Sequence, residues 1–323
     1  MLHVQLHNVS RFSIAAFVAC IACSKSSDVS HNAASSSAGA RAANAAGSGA
    51  PSEPGEADFS FFVTSLAAMQ RLSGSQSGFG GDLRFGQADG LAGADEICRQ
   101  IAEDSLAGAG KKTWRAFLSV TKDASGSPVN AIDRVGEGPW YDRLGRLIAL
   151  NTTDLAQTRP SGADPVILND LPNEDGVPNH APDGANQVDN HDILTGSSAT
   201  GTLYKDDWSV TCHDWTSAVG ADGKPRVGHS WPRSGFGGFP MGAGSAGSGA
   251  ASPFAAFFGA SGSGGSRGFP AGFGDTANWM SALDEAGCAP GVSLVEMGPP
   301  NARNPTVGSG GGYGGIYCFA LAH

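Results

Sequence analysis

Two His-Asp pairs, His191–Asp192 and His213–Asp214, are the residues of this sequence with the most chemistry in them. Together with His180, His229 and Asp189 they form a set of imidazole and carboxylate donors of the kind that zinc takes. No two of these four histidines stand at the i, i+4 spacing of a helical zinc site. The competing reading makes His213 and His229 ordinary hydrogen-bonding groups in packed loops. The acidic stretch running from "LNDLPNEDG" to "DNHD" offers hard oxygen ligands instead, and calcium is the ion that such donors suit. Asp170, Asp175, Asp189 and Asp192 are its candidate ligands, although no EF-hand spacing is present. A third chemistry, serine hydrolysis, would need a nucleophile elbow. "GHSWP" carries Ser230 but lacks the closing glycine of GxSxG. No catalytic residue is assigned, and the chain is read as a non-enzyme that needs no cofactor unless calcium fills the acidic stretch.

The six cysteines divide by position. Cys20 and Cys23 close the apolar run of "RFSIAAFVACIAC", which has the length of a signal-peptide core and is too short to span a bilayer. Each follows an alanine, and a small residue before a cysteine resembles the bacterial lipobox. Cys23 is the expected lipidation site, with Cys20 as the alternative, because a polar tether starts directly after Cys23. An ordinary cleaved signal peptide is the competing reading. The other four, Cys98, Cys212, Cys288 and Cys318, are an even number in an exported chain. That predicts two disulfides with three possible pairings, among which spacing does not choose. None lies in a CxxC pair, which argues against a zinc ribbon or a thioredoxin-like site.

The elements that must position these groups occupy only part of the 323 residues. Residues 1–23 read as the lipoprotein-type leader. Residues 24–57 contain almost no large apolar side chain and cannot offset their ordering entropy, so they read as a flexible linker. A domain follows over 58–323, with a Gly, Ser, Ala and Phe-rich insert at about 232–274. "FSFFVTS" reads as the first strand, followed by a Gly/Ser/Gln-rich loop. In "DGLAGADEICRQIAED", Leu91, Ala94, Cys98, Ile101 and Ala102 share a face at helical spacing, and Gly90 and Gly93 point to close approach by another element. "KTWRAFLSV" reads as a strand with Trp114, Ala116, Leu118 and Val120 on one side and a mixed other side carrying Phe117. A further strand is expected near 147–150, then a long Asp/Asn/Pro-rich loop over 151–190, and a terminal strand in "GGIYCFALAH". Strands with one early helix and no regular βαβ alternation predict an α+β fold of mainly antiparallel strands.

The series "FFVTS", "GLAGADEIC", "TWRAFLS", "DRVGEGPWY", "DILTGS", "TCHDWTS", "GHS", "NWMSALDEAGC" and "GGIYCFA" resembles the bacterial endostatin-like lipoproteins known from spirochaete surfaces, whose domain is similar to animal endostatin within the C-type lectin-like fold. The motifs cover most of 59–323. The resemblance implies nested disulfides, Cys98–Cys318 and Cys212–Cys288. It implies structural roles for Trp114, Trp215 and Trp279, which lie inside the motifs. The EPN and QPD triplets of calcium-dependent lectins are absent, and so is the N-terminal histidine cluster with which animal endostatin holds zinc.

The formal charge of −10 excludes the clustered Lys and Arg that a phosphate-backbone binder or an anionic-lipid patch needs. No nucleic-acid partner is expected, and the only expected membrane attachment is a lipid anchor. The resemblance implies an exported, cell-envelope protein that binds an extracellular or matrix protein through loops. A carbohydrate or cell-envelope binding module is the alternative, and a secreted hydrolase the third reading. Asp189, Asp192, Trp208 and Trp231 are the expected ligand surface, because rigid scaffolds present their binding groups on loops.

Overall fold

The computed structural model describes residues 58–180, 188–232, 277–294 and 300–321. The leader, the linker and all but the first residue of the 232–274 insert lie outside the described residues. Two units divide the chain, Met1–Ala50 and Pro51–His323, and the described residues all belong to the second.

Its organising element is the last strand. β1 (Phe61–Val63), β2 (Trp114–Ala116), β3 (Trp140–Tyr141), β4 (Leu147–Ala149), β5 (Asp192–Leu194), β6 (Arg226–His229), β7 (Leu283–Asp284) and β8 (Gly312–Ala320) form two sheets. The larger runs β1-β8-β5-β6-β7, with β2 also on β8, and the smaller pairs β3 with β4. Every pairing in the larger sheet is antiparallel except β5 with β8. The C-terminal half of β8 takes β1 and β2, so both ends of the domain meet in one ladder.

Both faces of this sheet are covered, and the side chains of β8 alternate between two cores. Ile316, Cys318 and Ala320 join the first core, while Tyr317 and Phe319 join the second. β2 and the residues after it do the same. Trp114, Ala116, Leu118 and Val120 face the first core as their period-two spacing predicts. The side that reads as mixed in sequence is buried too: Phe117 packs 4.8 Å from Trp279, and the Ser119 hydroxyl meets Ser197 at 2.8 Å and accepts from the Ala131 N–H. Trp114, Trp215 and Trp279 are core residues.

The first core is roofed by α2 (Gly90–Ser105). Asp89 caps it by accepting from the Ala92 N–H. Ala94, Ile97, Cys98, Ile101 and Ala102 form its buried face, and each large aliphatic side chain so removed from water contributes about 1.5–3 kcal/mol. Leu91, expected on that face, is half-buried. α1 (Leu66–Ser73) fills the stretch between the first strand and the glycine-rich loop, where the sequence reading marks no element. It starts at Ser65, whose hydroxyl accepts from the Ala68 N–H, and stops at Gly74, where φ is +66°. The second core is closed by the 151–180 region, which is not a loose loop: after the short α3 (Thr152–Leu155), Leu155, Ile167 and Leu171 are buried beneath Trp279 and Trp140 at irregular spacing.

Both disulfides have the nested pairing. Cys98–Cys318 ties α2 to β8 with Cα atoms 5.5 Å apart, and Cys212–Cys288 spans 5.7 Å.

Candidate functional site

Two places in the fold gather the chemically capable side chains. The first lies inside the sheet. Antiparallel pairing of β5 with β6 sets Asp192 directly opposite His229. His191 precedes Asp192, and its carbonyl accepts from the Ser230 N–H. Asp192 Oδ1 lies 3.0 Å from His229 Nε2 and 3.4 Å from His191 Nε2. Asp189 Oδ1 lies 2.5 Å from His191 Nδ1. The two imidazole rings are perpendicular, with centroids 4.1 Å apart. Among the described residues, His191, Asp192 and His229 are the metal-ligating group brought within 4.8 Å, and all three are fully buried.

The other wall of this cluster is glycine. Asp192 pairs with Gly312 and Ile193 with Gly315, so β8 bulges at Tyr313 and Gly314, and Gly314 takes a φ of +74°. A Cβ on Gly311 would stand 2.3 Å from Asp189 Oδ1, and one on Gly310 would stand 2.7 Å from Asp192 Oδ2. The run "GSGGGYGG" is therefore what lets β8 approach the carboxylates. Glu285 adds a third buried carboxylate, with Oε2 accepting from the Ser309 hydroxyl and the Gly310 N–H. Burial, followed by the neighbouring Asp192, pushes the Glu285 carboxyl well above the usual carboxylate range.

The sequence expectation for the acidic stretch is corrected here. Asp189 and Asp192 are not on a loop surface: Asp192 opens β5, a strand paired on both edges, Asp189 lies three residues before it, and both are buried with the histidines. Nor do the four aspartates share one oxygen cage. Asp170 accepts from the His180 N–H, and Asp175 is exposed in the 173–177 turn. Imidazole in the cluster also suits calcium poorly. Trp231 is half-buried, stacked 4.1 Å from His180 with the tilted ring of His191 at 4.8 Å, and its indole N–H donates to the Asn190 side-chain oxygen. Ser230 of "GHSWP" is buried, and its Oγ accepts from the Asn179 amide.

The second place is on the surface. Trp208 is 50% exposed, opens the short turn Trp208–Thr211, and packs against His213 with ring centroids 3.7 Å apart and planes tilted by 38°. The next four residues, Cys212–Trp215, all take positive φ, between 50° and 64°. Four consecutive non-glycine residues in this region are costly, at about 1–3 kcal/mol each, and persist only where the surroundings hold them. They are held from three sides. The Asp214 carboxylate accepts from the Thr121 N–H at 2.6 Å, the Thr121 hydroxyl at 2.8 Å and the Lys122 N–H at 3.2 Å. The Trp215 indole donates to the Ser119 carbonyl at 2.9 Å, and Cys212 is disulfide-bonded. A depression of about 480 Å³ lies against this turn, lined by Lys122, Asp206, Trp208, His213 and Asp214 among others. His213 and Asp214, a pair that the sequence offers as zinc ligands, are thus about a strained turn and not part of the buried cluster.

Fold and sites together define a class: a disulfide-braced α+β domain with a mainly antiparallel sheet, two cores, and a rigid turn presenting an aromatic pair. Two disulfides fit an oxidising compartment. Among the described residues, no helix is long and apolar enough to cross a membrane. No family model matches the chain, and no curated protein matches it.

Proposed function

We propose that the chain is an exported, non-catalytic binding module of the endostatin-like, C-type lectin-like kind, anchored by lipid on Cys23, that recognises an extracellular or matrix protein through the Trp208–His213 surface. The observation that carries the binding surface is the exposed indole packed against an imidazole whose residue lies in the left-handed turn Cys212–Trp215. An aromatic pair already ordered before binding loses little conformational freedom on contact, which favours affinity. The first and last strands of the domain meeting in one ladder, the nested disulfides and the order of the sequence motifs support the fold resemblance.

A glycan is the second reading, favoured by the polar lining of the depression beside Trp208, where Lys122 and Asp206 flank an indole face. Both readings are tested by immobilising the full chain and screening matrix proteins and a glycan array. Binding should fall at least about tenfold, the size of a modest hot spot, in Trp208→Ala and His213→Ala. Thermal unfolding of Trp208→Ala should stay near that of the wild type, because the side chain is half in solvent. A ligand whose affinity ignores both substitutions would sink this placement.

A further inference from the structure

We propose that His191, Asp192 and His229 hold a first-row divalent transition ion, with zinc the best fit, as an internal tie between β5, β6 and the glycine run of β8. At 2.5 Å from a carboxylate oxygen, His191 Nδ1 carries its proton. In the neutral ring, Nε2 is then an acceptor lone pair. That lone pair faces Asp192 Oδ1, another acceptor, at 3.4 Å, and His229 Nε2 reaches the same oxygen from the opposite strand at 3.0 Å. A metal ion seated among the three side chains makes these facing atoms ligands of one centre, and among the described residues they are the donors that lie close enough together to share one.

The separations and the donor types fit such an ion. Donors held about 2.0–2.1 Å from a tetrahedral zinc stand about 3.3 Å from each other, a value between the observed separations of 3.0 and 3.4 Å. Two imidazoles and a carboxylate are a donor set that zinc takes and calcium does not prefer. Asp189 behind His191 is the carboxylate that orients a ligating imidazole through its distal nitrogen. Two aspartates, Asp189 and Asp192, meet the imidazoles in this interior, and a dication offsets their charge.

The test uses the full purified chain, stripped with a chelator and titrated with zinc chloride, with metal content measured by mass spectrometry. One zinc per chain is expected, with cobalt(II) giving the visible spectrum of a four-coordinate nitrogen and oxygen site. Asp189→Asn leaves all three ligands in place and should weaken zinc about 10–100-fold. His191→Gln and His229→Gln should abolish saturable binding, while His213→Gln, on the surface turn, should not change it. Because a substitution at a buried histidine can simply unfold the chain, the Asp189→Asn affinity and the cobalt spectrum of the wild type decide the matter independently. Failure of the stripped wild type to bind zinc saturably would overturn the proposal, and so would unchanged affinity in Asp189→Asn or displacement of zinc by calcium.

Discussion

Glu174 is held by the residue that starts α1: the Ser65 N–H donates to one carboxylate oxygen at 2.9 Å and the Ser65 hydroxyl to the other at 2.5 Å. Its burial raises its pKa above the ordinary 4.5, in spite of these donors. A carboxyl that titrates higher when folded makes the folded state bind its proton more tightly than the unfolded state does. The stability it contributes is full below pH 4.5 and is lost as pH rises through the folded value. Glu174→Gln keeps an acceptor oxygen for Ser65 and has no charge to bury. Urea unfolding should therefore find the variant gaining on the wild type between pH 4 and pH 8, with the gain confined to the alkaline side. A difference that is the same at both pH values would mean that the Glu174 charge is not the cause.

At the scale of elements, α2 is positioned by what it lacks. A Cβ on Gly93 would lie 2.1 Å from the Leu83 carbonyl oxygen and 2.2 Å from that of Arg84, and one on Gly90 would lie 2.4 Å from the Asp214 carbonyl. The helix thus leans on the 83–84 backbone and on the left-handed turn at once. Helix propensity alone favours alanine over glycine by about 0.8–1 kcal/mol. Contact with fixed backbone should reverse that sign, and overpacking of this kind costs about 1–3 kcal/mol. Gly93→Ala is expected to lower the unfolding free energy by an amount in that range. Gly86→Ala serves as the comparison: there the cost is positive φ alone, since nothing lies within 4 Å of its added Cβ. A Gly93→Ala protein more stable than wild type would show that α2 stands off from those carbonyls.

For the whole molecule, the two disulfides differ in the chain they close, 220 residues against 76. In the chain-entropy account the longer loop is worth about 5.4 kcal/mol and the shorter about 4.5 kcal/mol, a difference of about 1 kcal/mol. Removing Cys98 and Cys318 together as alanines should destabilise more than removing Cys212 and Cys288, measured by denaturant unfolding under non-reducing conditions. The surface should show the opposite order. Cys212 begins the left-handed turn that carries His213, so losing Cys212–Cys288 should cost ligand affinity beyond its effect on stability, whereas losing Cys98–Cys318 should not. Equal losses of affinity from the two pairs would detach the turn from its disulfide.

The sequence by itself determined what local pattern and chain chemistry carry. Helical spacing of Ala94, Cys98, Ile101 and Ala102 marks α2, alternation marks the Trp114–Val120 face, and four cysteines mark two crosslinks. The class, α+β with mainly antiparallel strands, follows from the order of those segments. α1 escaped notice because an eight-residue amphipathic run between a strand and a glycine loop is short for a periodicity signal. The second core escaped because Leu155, Ile167 and Leu171 are scattered through a polar region with no period. The site was half legible. The His-Asp pairs stand out as donors, but whether a pair faces solvent or the sheet interior depends on its strand partners, which are distant in sequence. His191 and Asp192 are buried because β5 lies between β8 and β6. His213 and Asp214 stay near the surface because a disulfide and four positive φ angles turn the chain outward there. Tertiary structure alone decides this, since burial and donor geometry are set by contacts between β5, β6 and β8, segments tens to more than a hundred residues apart.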